Sequence, residues 1–225
     1  MDRLIEDREL RDKRYVFEDR RDAGRLLAGK LTKHKGMDTL LLAVPSGGVP
    51  VAAEIAKAID VPMDLIIVRK LQIPFNPEAG FGAMGPDGEV ILNEVLLHQL
   101  RLTEEAINAV IKATEKVIRK RNEIFRGGKS FPECKDKCVL IVDDGLASGF
   151  TVIAALRFIK RLEPSRIVVA VPTAFERTIE AILPEVDELL CLNVRTGPSF
   201  AVADAYRNWY DLTDREVLSI LGNPE

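Results

Sequence analysis

The stretch VLIVDDGLASGFTV, residues 139–152, decides how this chain is read. An apolar run leads straight into two adjacent carboxylates, Asp143 and Asp144, and mostly small or hydroxyl-bearing residues follow until Phe150 and Thr151. Adjacent acids at the end of a buried strand repel each other and lose solvation, so they persist where a cation or a hydroxyl-rich ligand uses them. The next residues, GLASGFT, read as a turn into a helix start, where free backbone N–H groups and the helix dipole favour an anion such as phosphate. Gly145 and Gly149 permit close approach, and Ser148 and Thr151 offer hydroxyl donors. Such a loop holds a phosphate while the acids meet diol hydroxyls or a metal-bound diol. A sugar 5-phosphate has that geometry.

Outward from this stretch, TLLLAV (39–44), MDLIIV (63–68), RIVVAVP (166–172) and ELLCLNV (188–194) are further continuous apolar runs. Alternating with helical patterns at 18–33, within VPVAAEIAKAI, over 103–125 and from Phe150 to Pro164, they predict a parallel sheet covered on both faces. The fold class is therefore α/β, a Rossmann-like parallel sheet flanked by helices. Thr103 is placed to cap the long helix, and Gly127 and Gly128 to stop it. Ligands in such sheets sit beyond the carboxyl ends of strands. PSGG (45–48), RKLQIP (69–74), DDGLASGFT (143–151) and the segment after Val194 are thus expected on one rim. Residues 69–92 are rich in Pro and Gly, long for a connector, and PDG between FGAM and EVIL predicts a small hairpin within them.

At 225 residues the chain fits one large domain, or one domain carrying an appendage. A net charge of −3 with no long basic block argues against a general nucleic-acid binder, and no nucleic acid is expected as a partner. No apolar run approaches the roughly 18 residues of a membrane span. The charged N-terminus lacks the apolar core of a secretion signal, which gives the expectation of a cytoplasmic protein without membrane partners. Cys134, Cys138 and Cys191 read as ordinary thiols, since CKDKC lacks a second Cys/His pair. With only His34 and His98, a Ser-His-Asp triad or a His-rich metal centre is disfavoured. RGGKSF ends like a P-loop, but Glu123 stands where the first glycine is needed, and no GxGxxG follows a strand.

Residues 139–151 resemble the PRPP-binding signature of the type I phosphoribosyltransferases. FEDRRDAGRLLA, AVPSGGVPVAAEIA, VRKLQIPFNPEAGFGA and FAVADAYRNWYDLTDREV extend the resemblance to a poorly characterised subgroup of that family over nearly the whole chain. The resemblance implies a single domain over 1–225, with a flexible flap over 71–92 and a small C-terminal hood over 195–225 on the acceptor side. It implies transfer of a phosphoribosyl group from PRPP to a nitrogenous acceptor, a nucleobase by preference, with Mg²⁺ as cofactor and a homodimer as assembly. Asp143 and Asp144 would hold the ribose hydroxyls directly or through the metal. The backbone of Gly145, Leu146, Ala147, Ser148, Gly149 and Thr151 would hold the 5-phosphate. Ser46, Gly47 and Gly48 would form the pyrophosphate loop, with a non-proline cis peptide expected between Ser46 and Gly47. Arg69 and Lys70 would join the catalytic set by facing the departing pyrophosphate, and Phe200 and Val202 would meet the acceptor.

Three positions depart from relatives. Ala147 stands where members acting on 6-oxopurines carry an Asp, Ser46 where the subgroup has Arg, and Phe150 where a small residue is usual. Arg207 replaces an Asp of the purine enzymes, so their base recognition does not transfer. A PRPP- or nucleotide-sensing protein without turnover is the alternative reading of the same fold.

Overall fold

The computed structural model describes residues 3–222, apart from the side chains of Pro77 and Glu78. Along the chain run β1 (Leu4–Glu6), α1 (Arg20–Lys30), β2 (Thr39–Ala43), α2 (Gly48–Ile59) and β3 (Met63–Leu65). Next come β4 (Arg69–Ile73), β5 (Asn76–Met84), β6 (Val90–Leu92), α3 (Glu94–Leu100) and α4 (Glu104–Arg126). The chain closes with β7 (Cys138–Val142), α5 (Phe150–Lys160), β8 (Arg166–Phe175), α6 (Glu176–Ile182), β9 (Glu188–Arg195) and α7 (Asp214–Ile220). These elements form two compact units. One comprises the chain up to Leu65, Pro132–Ser148 and everything from Leu162; the other comprises Ile66–Phe131 and Gly149–Arg161.

The first unit holds a six-stranded, all-parallel sheet in the order β1-β9-β8-β7-β2-β3. Every residue of β2, β7 and β9 is buried, which explains why β2 and β7 are almost wholly apolar: a strand covered on both faces has no polar side, although β9 also buries Glu188, Asn193 and Arg195. β2 leads through α2 to β3 at one edge, whereas β7 hands on to β8 and β9 towards the other. The strand order therefore reverses between β2 and β7, and the crevice beyond their carboxyl ends is where such a sheet takes its ligand. The acid pair follows β7 and PSGG follows β2. The sheet's edge strand β1 lies in a segment whose charges suggested no strand. Only Leu4 and Ile5 are apolar there, and its parallel pairing with β9 is a contact across most of the chain.

The second unit is built on the antiparallel sheet β4-β5-β6 with α3, α4 and α5. MDLIIV is strand only as far as Leu65; the chain then passes to β4. The segment expected to act as a flap carries the strands of this sheet, with β5 and β6 joined by the expected hairpin, whose Gly85 N–H donates to Glu89 O at 2.8 Å. Asp87 and Glu89 at its tip both take Arg161 at the end of α5. α4 begins and ends as its sequence predicts: Thr103 accepts from Ala106 N–H, and Gly127 closes it at φ 60°.

Candidate active site

Val44 N–H donates to Val142 O at 2.8 Å, so β2 and β7 stay paired to the point where both loops begin. The PSGG turn then packs directly on the acids. A Cβ on Gly47 would stand 1.8 Å from Asp144 Oδ2, and one on Gly48 would stand 2.7 Å from Val142 O. At Gly48 the obstacle is backbone, so no side chain fits there without moving β7.

The non-proline cis peptide joins Pro45 to Ser46, one bond before the expected Ser46–Gly47 position. Gly47 already has right-handed helical dihedrals, and Gly48 N–H donates to Val44 O, so the Ser46–Gly47 peptide belongs to the entry of α2. The reversal after β2 is left to Pro45 and Ser46.

The acid pair is held from several sides. Asp144 N–H donates to Asp143 Oδ1 at 2.8 Å. Burial, and next the charge of Asp144, push the Asp143 carboxyl well above the usual carboxylate range. Beyond the acids, Leu146 N–H donates to Thr173 O and Leu146 O accepts from Phe175 N–H, each at 3.0 Å, which fastens the loop to the end of β8. Thr178 Oγ1 donates to Ala147 O. A Cβ on Gly145 would meet Val202 Cγ1 at 2.5 Å and Thr173 Cγ2 at 3.0 Å, so Val202 lies against the loop. Phe200 stacks on Phe175 at 5.9 Å with 19° between planes, which commits one of its faces.

Ser148 is exposed, and Gly149, at φ 76°, caps α5 without a side chain. The first N–H groups of that eleven-residue helix thus meet no capping side chain, which is the arrangement an anion uses. Thr151 is half-buried in the helix's first turn. Arg69 and Lys70 open β4 in the second unit. Burial, and then the charge of Arg121, lower the Arg69 pKa, so two guanidiniums bear on one locality there. The Lys70 stem crosses Gly80, where a Cβ would stand 2.2 Å from Lys70 Cγ.

Of the four expected loops, PSGG, the acid loop and the segment after β9 meet in the first unit. Sequence reasoning missed a further participant, Arg20 in α1. Its Nε donates to Asp144 Oδ2 at 2.8 Å and its Nη1 to Tyr210 O at 2.8 Å. Tyr206, also overlooked, donates its hydroxyl to Asp144 O at 2.5 Å. The available signal was weak: Arg20 is one of several arginines in EDRRDAGR, and only its place on the buried side of α1 sets it apart.

Among the described residues no cluster of three or more His, Cys, Asp or Glu could by itself hold a metal ion. The acid pair nevertheless suits Mg²⁺, which keeps several waters and takes one or two protein carboxylates together with substrate oxygens. Two crowded carboxyls, one with its ionisation suppressed by burial and by its neighbour, gain from a nearby cation or diol. No helix among the described residues is long and apolar enough to cross a membrane. The three cysteines are buried and free.

A Mycobacterium tuberculosis protein named "Putative phosphoribosyl transferase" is 37% identical over 206 residues, covering 92% of this chain and 46% of its own length. The chain thus spans about half the length of the curated relatives it matches. A solved structure from Thermus thermophilus is 35% identical with a TM-score of 0.72, covering 91% of this chain and 97% of that one. A structure from Aquifex aeolicus, 14% identical with a TM-score of 0.51 over 83% of this chain and 78% of that one, shares the fold alone. The family described as phosphoribosyl transferase domain matches residues 18–201, and the chain belongs to the phosphoribosyl transferase family.

Proposed function

We propose that the protein transfers the 5-phosphoribosyl group of PRPP to a nitrogenous acceptor, a nucleobase by preference, with release of pyrophosphate and with Mg²⁺. The carrying observation is the contact between the PSGG turn and the acid pair, with Gly47 against Asp144 at the reversal of strand order. In this reading Asp143 and Asp144 orient the ribose through its vicinal hydroxyls, and the backbone from Gly145 to Thr151 receives the 5-phosphate. Ser46, Gly47 and Gly48 receive the pyrophosphate, for which Arg69 and Lys70 supply positive charge.

Displacement at the anomeric carbon builds positive charge on the sugar ring as pyrophosphate departs. A site that positions the reactants and neutralises the leaving group does most of the work. The bound Mg²⁺ would neutralise phosphate oxygens and help orient the sugar. Phe200 offers its remaining face, and Val202 its backbone, to the acceptor. Ala147 is exposed and carries no base, so the acceptor's proton must leave by another route.

Incubation with PRPP, Mg²⁺ and a panel of nucleobases, followed by pyrophosphate release, tests this. Acceptor-dependent release is the expected outcome. Ala147, together with Ser46 where relatives carry a cation, favours a second reading as a PRPP- or nucleotide-sensing protein. Calorimetric PRPP binding with no release for any acceptor would select that reading, and absence of PRPP binding would reject both.

A further inference from the structure

We propose that Arg20 is a positioning residue that couples what occupies Asp144 to the fold of residues 206–210. This deepens, and rests on, the reading of the acid pair as the sugar-diol site.

Arg20 is 6% exposed. A buried guanidinium carries five N–H donors and is tolerated only where partners meet it. Two of its donors are spent on opposite parties: Nε on Asp144 Oδ2 and Nη1 on Tyr210 O. Its face is spent as well, with Cζ 3.9 Å from the centroid of the Trp209 ring. Tyr206 completes the circuit, because its hydroxyl holds Asp144 O while its ring lies 5.2 Å from Trp209 and 5.6 Å from Phe17. Two segments far apart in sequence thus meet on the planar group that α1 supplies.

The consequence follows from the shape of that group. A guanidinium is a rigid fork, so it cannot re-aim one donor without moving the others. A diol or a cation that engages Asp144 draws on the carboxylate charge that Nε now holds. Any adjustment of Nε is transmitted to the Tyr210 carbonyl and to the Trp209 stack. The surroundings permit movement: a cavity of 190 Å³ beside Arg20 is lined by Arg21, Pro50, Tyr210, Leu212 and Glu216. Conversely, residues 206–210 fix Arg20, and so fix where Asp144 points.

Trp209 is the only tryptophan of the chain and reports on the coupling without a label. Wild-type protein is titrated with PRPP and Mg²⁺, following intrinsic fluorescence in one series and heat in another. The expected result is a saturating fluorescence change with the dissociation constant that calorimetry gives. Arg20→Gln should weaken PRPP binding about 10–100-fold, the usual cost of removing a group that orients a ligand-bearing residue. It should also remove the fluorescence change at saturation. Arg20→Lys, which retains charge without the fork, should recover part of the affinity but not the fluorescence change. Tyr206→Phe spares the ring packing and removes one hydrogen bond, so it remains informative should Arg20→Gln fold poorly. Its binding should weaken several-fold.

Heat of binding in wild type with an unchanged tryptophan signal would overturn the coupling. So would a folded Arg20→Gln protein with wild-type affinity, which would leave Arg20 a purely structural ion pair. A wild-type protein that gives no heat with PRPP fails differently. It rejects the sugar-diol reading, and the coupling with it.

Discussion

Asp143 and Asp144 are the residues on which the site reading stands or falls. Replacing both by Asn removes the charge and weakens two charge-assisted hydrogen bonds, each worth roughly 1.5–3 kcal/mol. The double variant should lose PRPP affinity by about 100-fold or more in calorimetry while its circular dichroism is unchanged. Retained affinity would count against the acid pair. His34 gives a second residue-level test, away from the site. It is 1% exposed, its Nε2 lies 3.9 Å from Glu188 Oε1, and Cys138, Lys33 and Arg166 complete its surroundings. Burial foremost lowers its pKa below the ordinary 6.5, a shift that Glu188 opposes and that Lys33 and Arg166 reinforce. The unfolded chain then binds the proton more readily than the folded one, so His34's contribution is complete above about pH 6.5 and falls away below it. The urea midpoint should drop between pH 7 and 5, and His34→Gln should flatten that drop. An identical pH dependence in the variant would remove His34 as its source. Both acids were visible in the sequence because adjacency and the glycines mark them locally. Arg20 was not, since its meaning comes from a partner 124 positions away.

At the scale of elements, α1 and α2 show how packing overrules helix propensity. A Cβ on Gly24 would stand 2.6 Å from Val51 O and 2.9 Å from Glu54 Cβ, so the two helices approach too closely for any side chain there. Gly29, five residues along the same helix, would meet nothing within 4 Å. Gly24→Ala should therefore destabilise by about 1–3 kcal/mol through overpacking. Gly29→Ala should stabilise by about 0.5–1 kcal/mol, the ordinary gain in a helix. Denaturant unfolding of the pair decides the matter, and equal effects of the same sign would deny that the helix contact is tight. The central strands and α4 were readable because each carries its own periodicity and caps. β1 was not, as three residues in a charged segment show no pattern until β9 is beside them. Residues 69–92 looked like a loop because their glycines interrupt the alternation of a strand. Gly80 and Gly82 are there because Lys70 and the Ile91 carbonyl pass where a side chain would be.

For the molecule as a whole, ligand linkage gives the corresponding prediction. A ligand that binds only the folded chain adds about 2.7 kcal/mol at a hundredfold excess over its dissociation constant. For a chain of this length that corresponds to a rise of roughly 5–10 °C in melting temperature. PRPP with Mg²⁺ should produce such a rise in thermal unfolding, and the Asp143/Asp144 double Asn variant should lack it. A rise of the same size in the variant would place the ligand elsewhere. The sequence by itself determined what depends on neighbours along the chain: the buried strands, the capped long helix, the acid pair and the glycine-bracketed turn after it. Strand order, the Pro45–Ser46 position of the cis peptide, the meeting of PSGG with the acids, and Arg20 on Asp144 were decided only by tertiary structure. Local patterns record which face of an element is buried and where it stops. They carry no record of which distant segment arrives to cover that face, and in this protein the site is made where such segments arrive.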